Sequence, residues 1–559
     1  MRNASPRFSL PFKGAAALAV LSGLLYFLAF PGIDLWPLAF VALVPLILAL
    51  RGQKPKHALL FGWLSGFTMT MLGFYWLLEM LQTFSGFPLP LCALFMALLS
   101  AYQAGRIALL GWVYARVEAR GWPAAPAFLL VFAASEQIYP LLFPWSYAAT
   151  VHQLPALIQL AEIGGPILVA LPLVAANLAV AELILARLEQ RDVRWKSTAA
   201  LALAPIVAAV YGAIRIGQVD ELVRQAKPAE VGLVQANMSL LGKRKDRQEG
   251  LRRHLKLTKK LEKQKPEKLD LVVWSETSVM ASIDEAAKDT EVPRRVTNDL
   301  DIPAIFGIVL RRPVNDVRRH VYLNSALATD RRGRVVGQYN KQFLLAFGEY
   351  LPLGETFPIL YEWSPNSGRF TPGTSHLPLQ IGQRQIATFI CYEDIIPGFV
   401  NTIVNAGHPD LLVNLTNDAW FGDTTEPWIH LALSKFRAVE HRRFFVRSTN
   451  SGVSAFVDPV GRVISHTKTF KEQAIRERIA WMRSTTPYEV IGDVPWWLAV
   501  LAAGALAWYR RGGISGRSIP PPAEPAPKPT SAPSPPPVDF KVKSRDWFAR
   551  PGTARGPVE

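Results

Sequence analysis

Cysteine is almost absent: only Cys92 and Cys391 occur in 559 residues, and Cys391 has no second cysteine in its own domain with which to form a disulfide. No internal repeat is present, and no small-residue cleavage site follows Phe30-Pro31-Gly32. The basic residues Arg2, Arg7 and Lys13 therefore precede a retained span and not a cleaved signal peptide. Lysine and arginine are also missing from segments 31–34, 81–88 and 139–164, which argues against an inner-face location for these loops in a membrane protein.

What is present is largely apolar. Half of the residues are hydrophobic and the mean hydropathy is +0.16, high for a soluble chain and low for one made only of membrane spans. Seven apolar stretches lie at roughly 14–30, 35–50, 58–80, 89–115, 122–138, 165–186 and 198–216, and an eighth runs from Pro495 to Trp508. Most approach the ~20 residues that a bilayer crossing needs. Basic residues gather in alternate connections: Arg2, Arg7 and Lys13; Arg51, Lys54 and Lys56; Arg116 and Arg120; Arg187, Arg191, Arg194 and Lys196. This bias puts the N-terminus inside, the block from about 217 to 494 outside, and Arg510-Arg511 inside again.

The expected organisation is a seven-helix membrane domain over 1–216, an outer domain over 217–494, a last transmembrane helix over 495–511, and a tail over 512–559. Pro520-Pro521-Pro522 and Pro535-Pro536-Pro537 mark that tail as a segment unable to bury a core, hence a disordered cytoplasmic extension. The formal charge of +17 invites a nucleic-acid reading, but much of the excess sits in the short inner loops and the tail, where topology explains it. The basic run from Lys243 to Lys268, with Leu251, Leu255, Leu257 and Leu261 interspersed, reads as a solvated amphipathic helix; attraction to anionic lipid head groups is the alternative. Arg106 and Glu136 lie within apolar stretches, where charge is a functional suspect. Placement near a membrane interface is the plainer expectation for both.

From Ala229 to about Val490 short β-rich runs alternate with helical ones, about 260 residues in all and enough for one domain. Strands are predicted at 231–235, 269–274, 302–310, 322–329, 334–339, 385–390, 411–415, 444–448, 454–457 and 463–466, with hairpin turns at Asp330-Arg331-Arg332-Gly333 and Asp458-Pro459-Val460-Gly461. The continuous apolar run Leu271-Val272-Val273-Trp274 requires cover on both faces.

Three polar residues stand at predicted strand ends: Glu276, Lys341 and Cys391. Such ends converge on one crevice in an open α/β sheet. A thiol there, at the start of a helix, is a nucleophile's position; a carboxylate can move its proton and an ammonium can stabilise thiolate and oxyanion. Each also has a plain reading: Cys391 as a small buried hydrophobe, Glu276 as a helix N-terminal carboxylate, Lys341 as a surface lysine. A lone cysteine in an oxidising compartment is a liability unless its thiol is used, which favours the nucleophile.

The motifs Trp274-Ser275-Glu276-Thr277, Tyr339-Asn340-Lys341 with Phe347-Gly348-Glu349-Tyr350-Leu351-Pro352, and Cys391-Tyr392-Glu393 resemble, in that order, the Glu-Lys-Cys triad of the nitrilase superfamily. Asn414-Leu415-Thr416-Asn417-Asp418-Ala419-Trp420-Phe421-Gly422 and Arg447-Ser448-Thr449-Asn450-Ser451-Gly452 are similar to further blocks of it. With seven spans before this domain and one after, residues 14 to about 510 resemble the bacterial apolipoprotein N-acyltransferase family. Ser275 departs from the family, which usually has proline there.

The resemblance implies a multi-pass membrane domain of about eight spans carrying a nitrilase-like four-layer α-β-β-α sandwich on the periplasmic side of the inner membrane. It implies Glu276 as general base and acid, Lys341 as oxyanion stabiliser and Cys391 as nucleophile, with Glu349, Glu393 and Tyr392 supporting them. An acyl chain would pass from a phospholipid to the thiol, then to the amine of a diacylglyceryl-cysteine apolipoprotein. No metal or cofactor is implied, no nucleic-acid partner, and a monomer suffices. Phe347, Trp420, Phe421 and Trp428 are candidate lipid-facing residues on arms beside the site, against ordinary loop packing as the alternative. A membrane-anchored amidase using water as acceptor, and a non-catalytic lipid or lipoprotein receptor, are the competing functions.

Overall fold

The computed structural model describes residues 8–239, 246, 248–264, 266–314, 316–345, 348–351, 353–363 and 368–509. Phe347, part of the basic run and the proline-rich tail lie outside the described residues.

Every apolar stretch of the sequence falls on helix. The elements are α1 (Phe12–Leu28), α2 (Val44–Leu50), α3 (Pro55–Gly73), α4 (Leu77–Ser85), α5 (Leu89–Gln103), α6 (Gly105–Ala119), α7 (Ala124–Ile138), α8 (Pro155–Ile158), α9 (Ala161–Leu188) and α10 (Trp195–Gln225). After the outer domain comes α18 (Val494–Trp508). The expectation of about eight spans is met only in part. Among the described residues three helices are long and apolar enough to cross a membrane: Leu89–Ala119, in which α5 and α6 run on, α9 and α10. The α3–α4 pair, bent by 60°, is a fourth if the two segments are one span. The remaining apolar helices, at Phe12–Leu28, Trp36–Leu50, Ala124–Ile138 and Val494–Trp508, are shorter than 18 residues. Helix α10 continues nine residues past its apolar stretch, to Gln225, because Asp220, Glu221 and Arg224 keep the backbone helical while ending the hydropathy signal.

Arg106 and Glu136, two charges within apolar stretches, meet each other in the structure. Both are buried and pair with each other at 2.8 Å, and Arg106 also donates to the Trp145 carbonyl at 2.6 Å. Each charge thus answers the other inside the helical core.

The outer domain contains β1 (Pro228–Gln235), α11 (Glu249–Glu262), β2 (Leu271–Trp274), β3 (Val279–Asp284), α12 (Lys288–Arg295), β4 (Ala304–Val314), β5 (Asp316–Thr329), β6 (Val335–Asn340) and α13 (Ile359–Trp363). It continues with β7 (Leu379–Ile381), β8 (Arg384–Ile390), α14 (Pro397–Gly407), β9 (Leu411–Thr416), α15 (Glu426–Ser434), α16 (Phe436–His441), β10 (Phe445–Thr449), β11 (Ala455–Val457), β12 (Val463–His466), β13 (Gln473–Ala480) and α17 (Pro487–Ile491). One sheet has the order β13-β1-β2-β4-β5-β6 with β3 beside β4; the other runs β12-β11-β10-β9-β8-β7. Strands β1, β2 and β4 are parallel, as are β8, β9 and β10.

Alternation within strands builds the layers. Val231, Leu233, Leu271 and Val273 face a core shared with Ala387, Phe389 and Phe445 of the second sheet, whereas Val234, Val272 and Trp274 pack with Leu257 and Leu261 of α11 and Val292 of α12. Phe399, Val400, Ile403 and Val404 of α14 cover the second sheet. Both faces of β2 are therefore buried, as its unbroken apolar run demands. Within the basic run, α11 turns Leu257 and Leu261 inward and leaves Arg252, Lys256, Lys259 and Lys260 exposed, the amphipathic solution. Three strands escape the apolar signal: β3, the three-residue β7, and β13, whose Arg476-Glu477-Arg478 hides its pairing with β1.

Among the contacts that tie the outer domain to the helices, including Arg462 with Asp220 of α10, two lie at bends of the helical chain. The turn after β9 sets Phe421 against Trp76, ring centroids 5.1 Å apart, and the Thr425 N–H donates to the Tyr75 hydroxyl at 3.3 Å. Trp76 and Tyr75 occupy the bend between α3 and α4. At the other contact α9 kinks at Gly164-Gly165, where Gly165 has φ +65° and a Cβ would meet the Tyr488 ring at 3.1 Å. The displaced first turn presents Glu162 to Arg442 at 2.8 Å and to Arg215 at 2.6 Å, and Arg442 also donates to Gln159 at 2.6 Å. All but Arg215 of these are strongly buried. Arg442→Ala leaves Glu162 underpaired and is expected to cost about 3–5 kcal/mol of stability, read as a lowered Tm of the full-length protein in detergent; an unchanged Tm refutes the clamp.

Candidate active site

Cys391 follows β8 directly and adopts φ +58°. For a non-glycine residue this left-handed backbone costs on the order of 1–2 kcal/mol. It turns the chain sharply off the strand. The sequence expectation of a helix N-terminus at the thiol needs correction: Cys391–Ile395 is a single 3-10 turn, and α14 starts only at Pro397. Two side chains hold this turn. Asn414 of β9 donates to the Cys391 carbonyl at 2.8 Å. Glu393 accepts from the backbone N–H groups of Ile390 (2.8 Å), Gln342 (2.6 Å) and Phe343 (3.1 Å) and from the Tyr339 hydroxyl (2.8 Å). Glu393 therefore fastens the cysteine turn to the segment that carries Lys341. Burial, against those backbone donors, pushes its carboxyl up to about 7.

Lys341 follows β6 and is 2% exposed; its N–H donates to the Asn324 carbonyl at 2.8 Å. Its ammonium lies 2.8 Å from Glu349 and 3.3 Å from Glu276. Asn324 of β5 donates to both carboxylates, at 2.7 Å to Glu276 and 2.6 Å to Glu349. Tyr392 places its ring 5.9 Å from the same ammonium and donates its hydroxyl to the Leu344 carbonyl at 2.9 Å. Glu276, which follows β2 after Ser275, is held from behind by Gly307 of β4: a Cβ there would meet the Thr277 nitrogen at 2.4 Å and the Glu276 Cα at 2.7 Å. Ser275 is buried and accepts the Gly307 N–H on its carbonyl at 3.2 Å, so the Glu276 turn is held by the backbone despite serine at this position.

Two carboxylates thus share one ammonium in a buried site. Burial first, then the Glu349 charge, raises the Glu276 carboxyl against the pull of Lys341. Lys341 is held well above its usual value because, against burial, Glu276 and Glu349 both favour its charge. Burial likewise pushes the Cys391 thiol up, opposed by Lys341 and a hydrogen bond from Thr416. The sulfur therefore rests as a thiol, and it needs a base at the moment of attack. Glu276, with its proton affinity raised by burial, is suited to take that proton and give it back.

Beneath the cysteine turn lies a second charged group. Arg447 of β10 reaches Asp418 at 3.0 Å, Asp394 at 3.3 Å and Asn414 at 3.2 Å, and His430 meets Asp394 at 2.9 Å. Donor atoms of Asp418, Glu426 and His430 lie within 4.8 Å of one another. They do not suit a cation, because the Arg447 guanidinium already contacts both Asp418 oxygens, at 3.2 and 3.0 Å. The two quoted sequence blocks after Cys391 thus meet here. Asn324, His430 and Glu426 had no strand-end position in the sequence and were missed.

Cys391 lines one cavity, and its neighbour Tyr392 lines both that one and a larger one. The larger, about 1170 Å³, is lined by Tyr322, Phe343, Tyr350, Tyr361, Arg369 and Tyr392 among others. The smaller, about 40 Å³, joins Cys391 and Tyr392 to Phe74, Trp76 and Phe143 of the helical domain through Phe421, Ile429 and Leu433. Phe421 is buried at this junction and Trp420 packs on the helical core. Trp428 lines neither cavity and meets His466 edge-on, ring centroids 5.4 Å apart. Phe347 lies outside the described residues.

Residues 22–179 match the model of the apolipoprotein N-acyltransferase N-terminal domain, and residues 230–481 that of carbon-nitrogen hydrolases. An apolipoprotein N-acyltransferase of Azotobacter vinelandii is 33% identical over 516 residues, 90% of this chain and 96% of the relative. One from Pseudomonas putida is 31% identical over 517 residues, 90% of this chain and 97% of that one. A crystal structure of a Saccharomyces cerevisiae member of branch 10 of the nitrilase superfamily aligns at 17% identity with a TM-score of 0.35, over 48% of this chain and 95% of that one. With near-complete coverage of relatives above 30% identity, and with both family domains in order, the chain belongs to the apolipoprotein N-acyltransferase family.

Proposed function

We propose that this chain moves a fatty acyl group from a phospholipid to the sulfur of Cys391, and from the resulting thioester to the N-terminal amine of a diacylglyceryl-cysteine apolipoprotein. Glu276 takes the thiol proton as sulfur attacks the lipid ester, Lys341 stabilises the oxyanion, and Glu276 returns the proton to the departing glycerol oxygen. Glu349 and Asn324 orient Lys341 and Glu276; Glu393 and Tyr392 hold the two loops in register. The observation that carries the reading is the small cavity: the nucleophile of a carbon-nitrogen hydrolase site opens toward apolar side chains of the helical domain.

Such a route suits substrates that stay in a membrane, since exposing each CH₂ of an acyl chain to water costs roughly 0.8 kcal/mol. The exposed Tyr350, Leu353, Phe357 and Ile359 on the segment lining the larger cavity fit arms that meet lipid. On this reading the chain has about eight spans in a bacterial inner membrane, the short helices extended by aromatic flanks, with the catalytic domain on the periplasmic side and the tail in the cytoplasm. The Lys- and Arg-free loops support that orientation. A monomer suffices.

Incubating the purified protein with phospholipid vesicles and no acceptor should add one acyl mass, labile to hydroxylamine, on the Cys391 peptide. An active protein lacking that adduct overturns the mechanism. Release of free fatty acid, with no acylated peptide on adding acceptor, or release of ammonia from a small amide supplied in its place, would indicate a hydrolase.

A further inference from the structure

Arg369 lines the larger cavity, and its backbone is fixed from both sides. The N–H of Gly368 donates to the Gly348 carbonyl at 2.7 Å, and that of Phe370 to the Glu349 carbonyl at 3.0 Å. Arg369 is thereby fastened beside the segment whose Glu349 pairs with Lys341. Its guanidinium lies over the Tyr361 ring, 4.2 Å from the centroid, a contact that uses none of its N–H donors. Among the described residues no carboxylate pairs with it and no acceptor takes its hydrogen bonds, although Glu355 lines the same cavity. A positioned cation with its donors open to the cavity suits an anionic ligand.

The first half-reaction brings such a ligand. Tyr392 follows the nucleophile and lines both cavities, so a substrate held at Cys391 extends into them. In a glycerophospholipid the phosphate lies only a glycerol's length from the ester that is attacked. The smaller cavity, about 40 Å³, has no room for a head group, and apart from Glu426 and His430 its walls around Cys391 and Tyr392 are apolar. The larger, about 1170 Å³, has both the volume and the guanidinium. The two free oxygens of a phosphodiester match the fork of a guanidinium better than they match a point charge.

We propose that Arg369 binds the phosphodiester of the acyl donor in the larger cavity and so selects phospholipids over neutral glycerides for the first half-reaction. The inference rests on the function proposed above. The role is one of binding: the contact forms with the bound donor and persists equally as the ester is attacked, so it lowers KM for the donor and leaves the chemical step unchanged. The acceptor of the second half-reaction carries a diacylglyceryl group but no phosphate. Arg369 therefore acts on acylation and not on transfer. Between the two steps its guanidinium returns to water, which costs little because Arg369 is exposed on the cavity wall.

The test times acylation of Cys391 in the full-length protein, in micelles of an uncharged detergent, with two donors bearing the same acyl chains: phosphatidylethanolamine and 1,2-diacylglycerol. Both present the same esters, and only the first has a phosphate. Wild type should use phosphatidylethanolamine with the higher kcat/KM. Arg369→Gln should lower kcat/KM for phosphatidylethanolamine by roughly 10-fold, through KM, and leave that for diacylglycerol within about twofold of wild type. Arg369→Lys, which keeps the charge but not the fork, should fall between wild type and Arg369→Gln with phosphatidylethanolamine. Acyl-enzyme formed at saturating phosphatidylethanolamine should pass its chain to a synthetic diacylglyceryl-cysteinyl peptide at the wild-type rate in both variants. Equal losses with the two donors, or an equal loss in transfer, would mark a structural role and overturn the proposal. So would a wild type that shows no preference between the donors, or an Arg369→Gln protein that keeps the wild-type preference. If wild-type protein forms no acyl-enzyme with either donor, the proposed function itself falls and this role with it.

Discussion

Cys391→Ala is expected to abolish both acyl-enzyme formation and transfer, a loss of at least about 10⁴-fold, because without a thiol neither half of the ping-pong cycle exists. Cys391→Ser sharpens the result. Its hydroxyl keeps the size and the strained turn at φ +58°, but burial already pushes even the more acidic thiol up. An alkoxide in the same place would be harder still to form, and the oxygen ester it would yield is a poorer acyl donor to an amine than a thioester. Serine should therefore show at most slow acylation and no measurable transfer. Intact-mass spectrometry after lipid exposure, followed by peptide acceptor, reads both steps. Turnover by the alanine variant would remove Cys391 from the mechanism.

Lys341→Met should give the next largest effect, on rate and on stability together. Loss of the oxyanion's positive partner is expected to slow acylation by about 10²–10³-fold. It also leaves Glu276 and Glu349 buried, joined by Asn324 and without their cation. Breaking a buried pair from one side costs about 3–5 kcal/mol when the remaining charge must persist. The sign with pH follows from proton binding. In the variant the Glu276 carboxyl, already raised by burial in the wild type and now without the ammonium that opposed it, holds its proton in the folded state more tightly than the ~4.3 of an unfolded glutamate, so stability falls as pH rises through that window. In wild type the Lys341 ammonium, held well above its usual value, keeps its stabilising contribution throughout the neutral range and loses it only as pH rises through the folded-state pKa. Thermal melts from about pH 5 to 9 should show the variant's deficit widening upward; a pH-independent deficit would mean that the carboxylates were not left bare.

Much of this was legible in the chain because the signals are local. The apolar stretches that lie on helices needed only hydropathy, and ten of the thirteen strands among the described residues needed only short apolar runs between turn residues. The Asp330–Gly333 and Asp458–Gly461 turns followed from a glycine able to take positive φ. Glu276, Lys341 and Cys391 stood out because each polar residue ends such a run. The strand β13 did not stand out, since its partner on β1 lies far away in sequence and its own residues are charged.

By itself the sequence determined the order of helices and sheets, the likeness to a Glu-Lys-Cys family and the three residues to test, since these depend on composition, periodicity and neighbours in the chain. Only the tertiary structure decided that Arg106 and Glu136 neutralise each other, that Asn324 bridges two carboxylates, that a 3-10 turn and not a helix carries the thiol, and that Glu426 shares its cavity. Those are matters of distance between residues remote in sequence. Buried charge makes them decisive, because inside the protein an ionisable group is governed by whichever partner folding brings within a few ångströms.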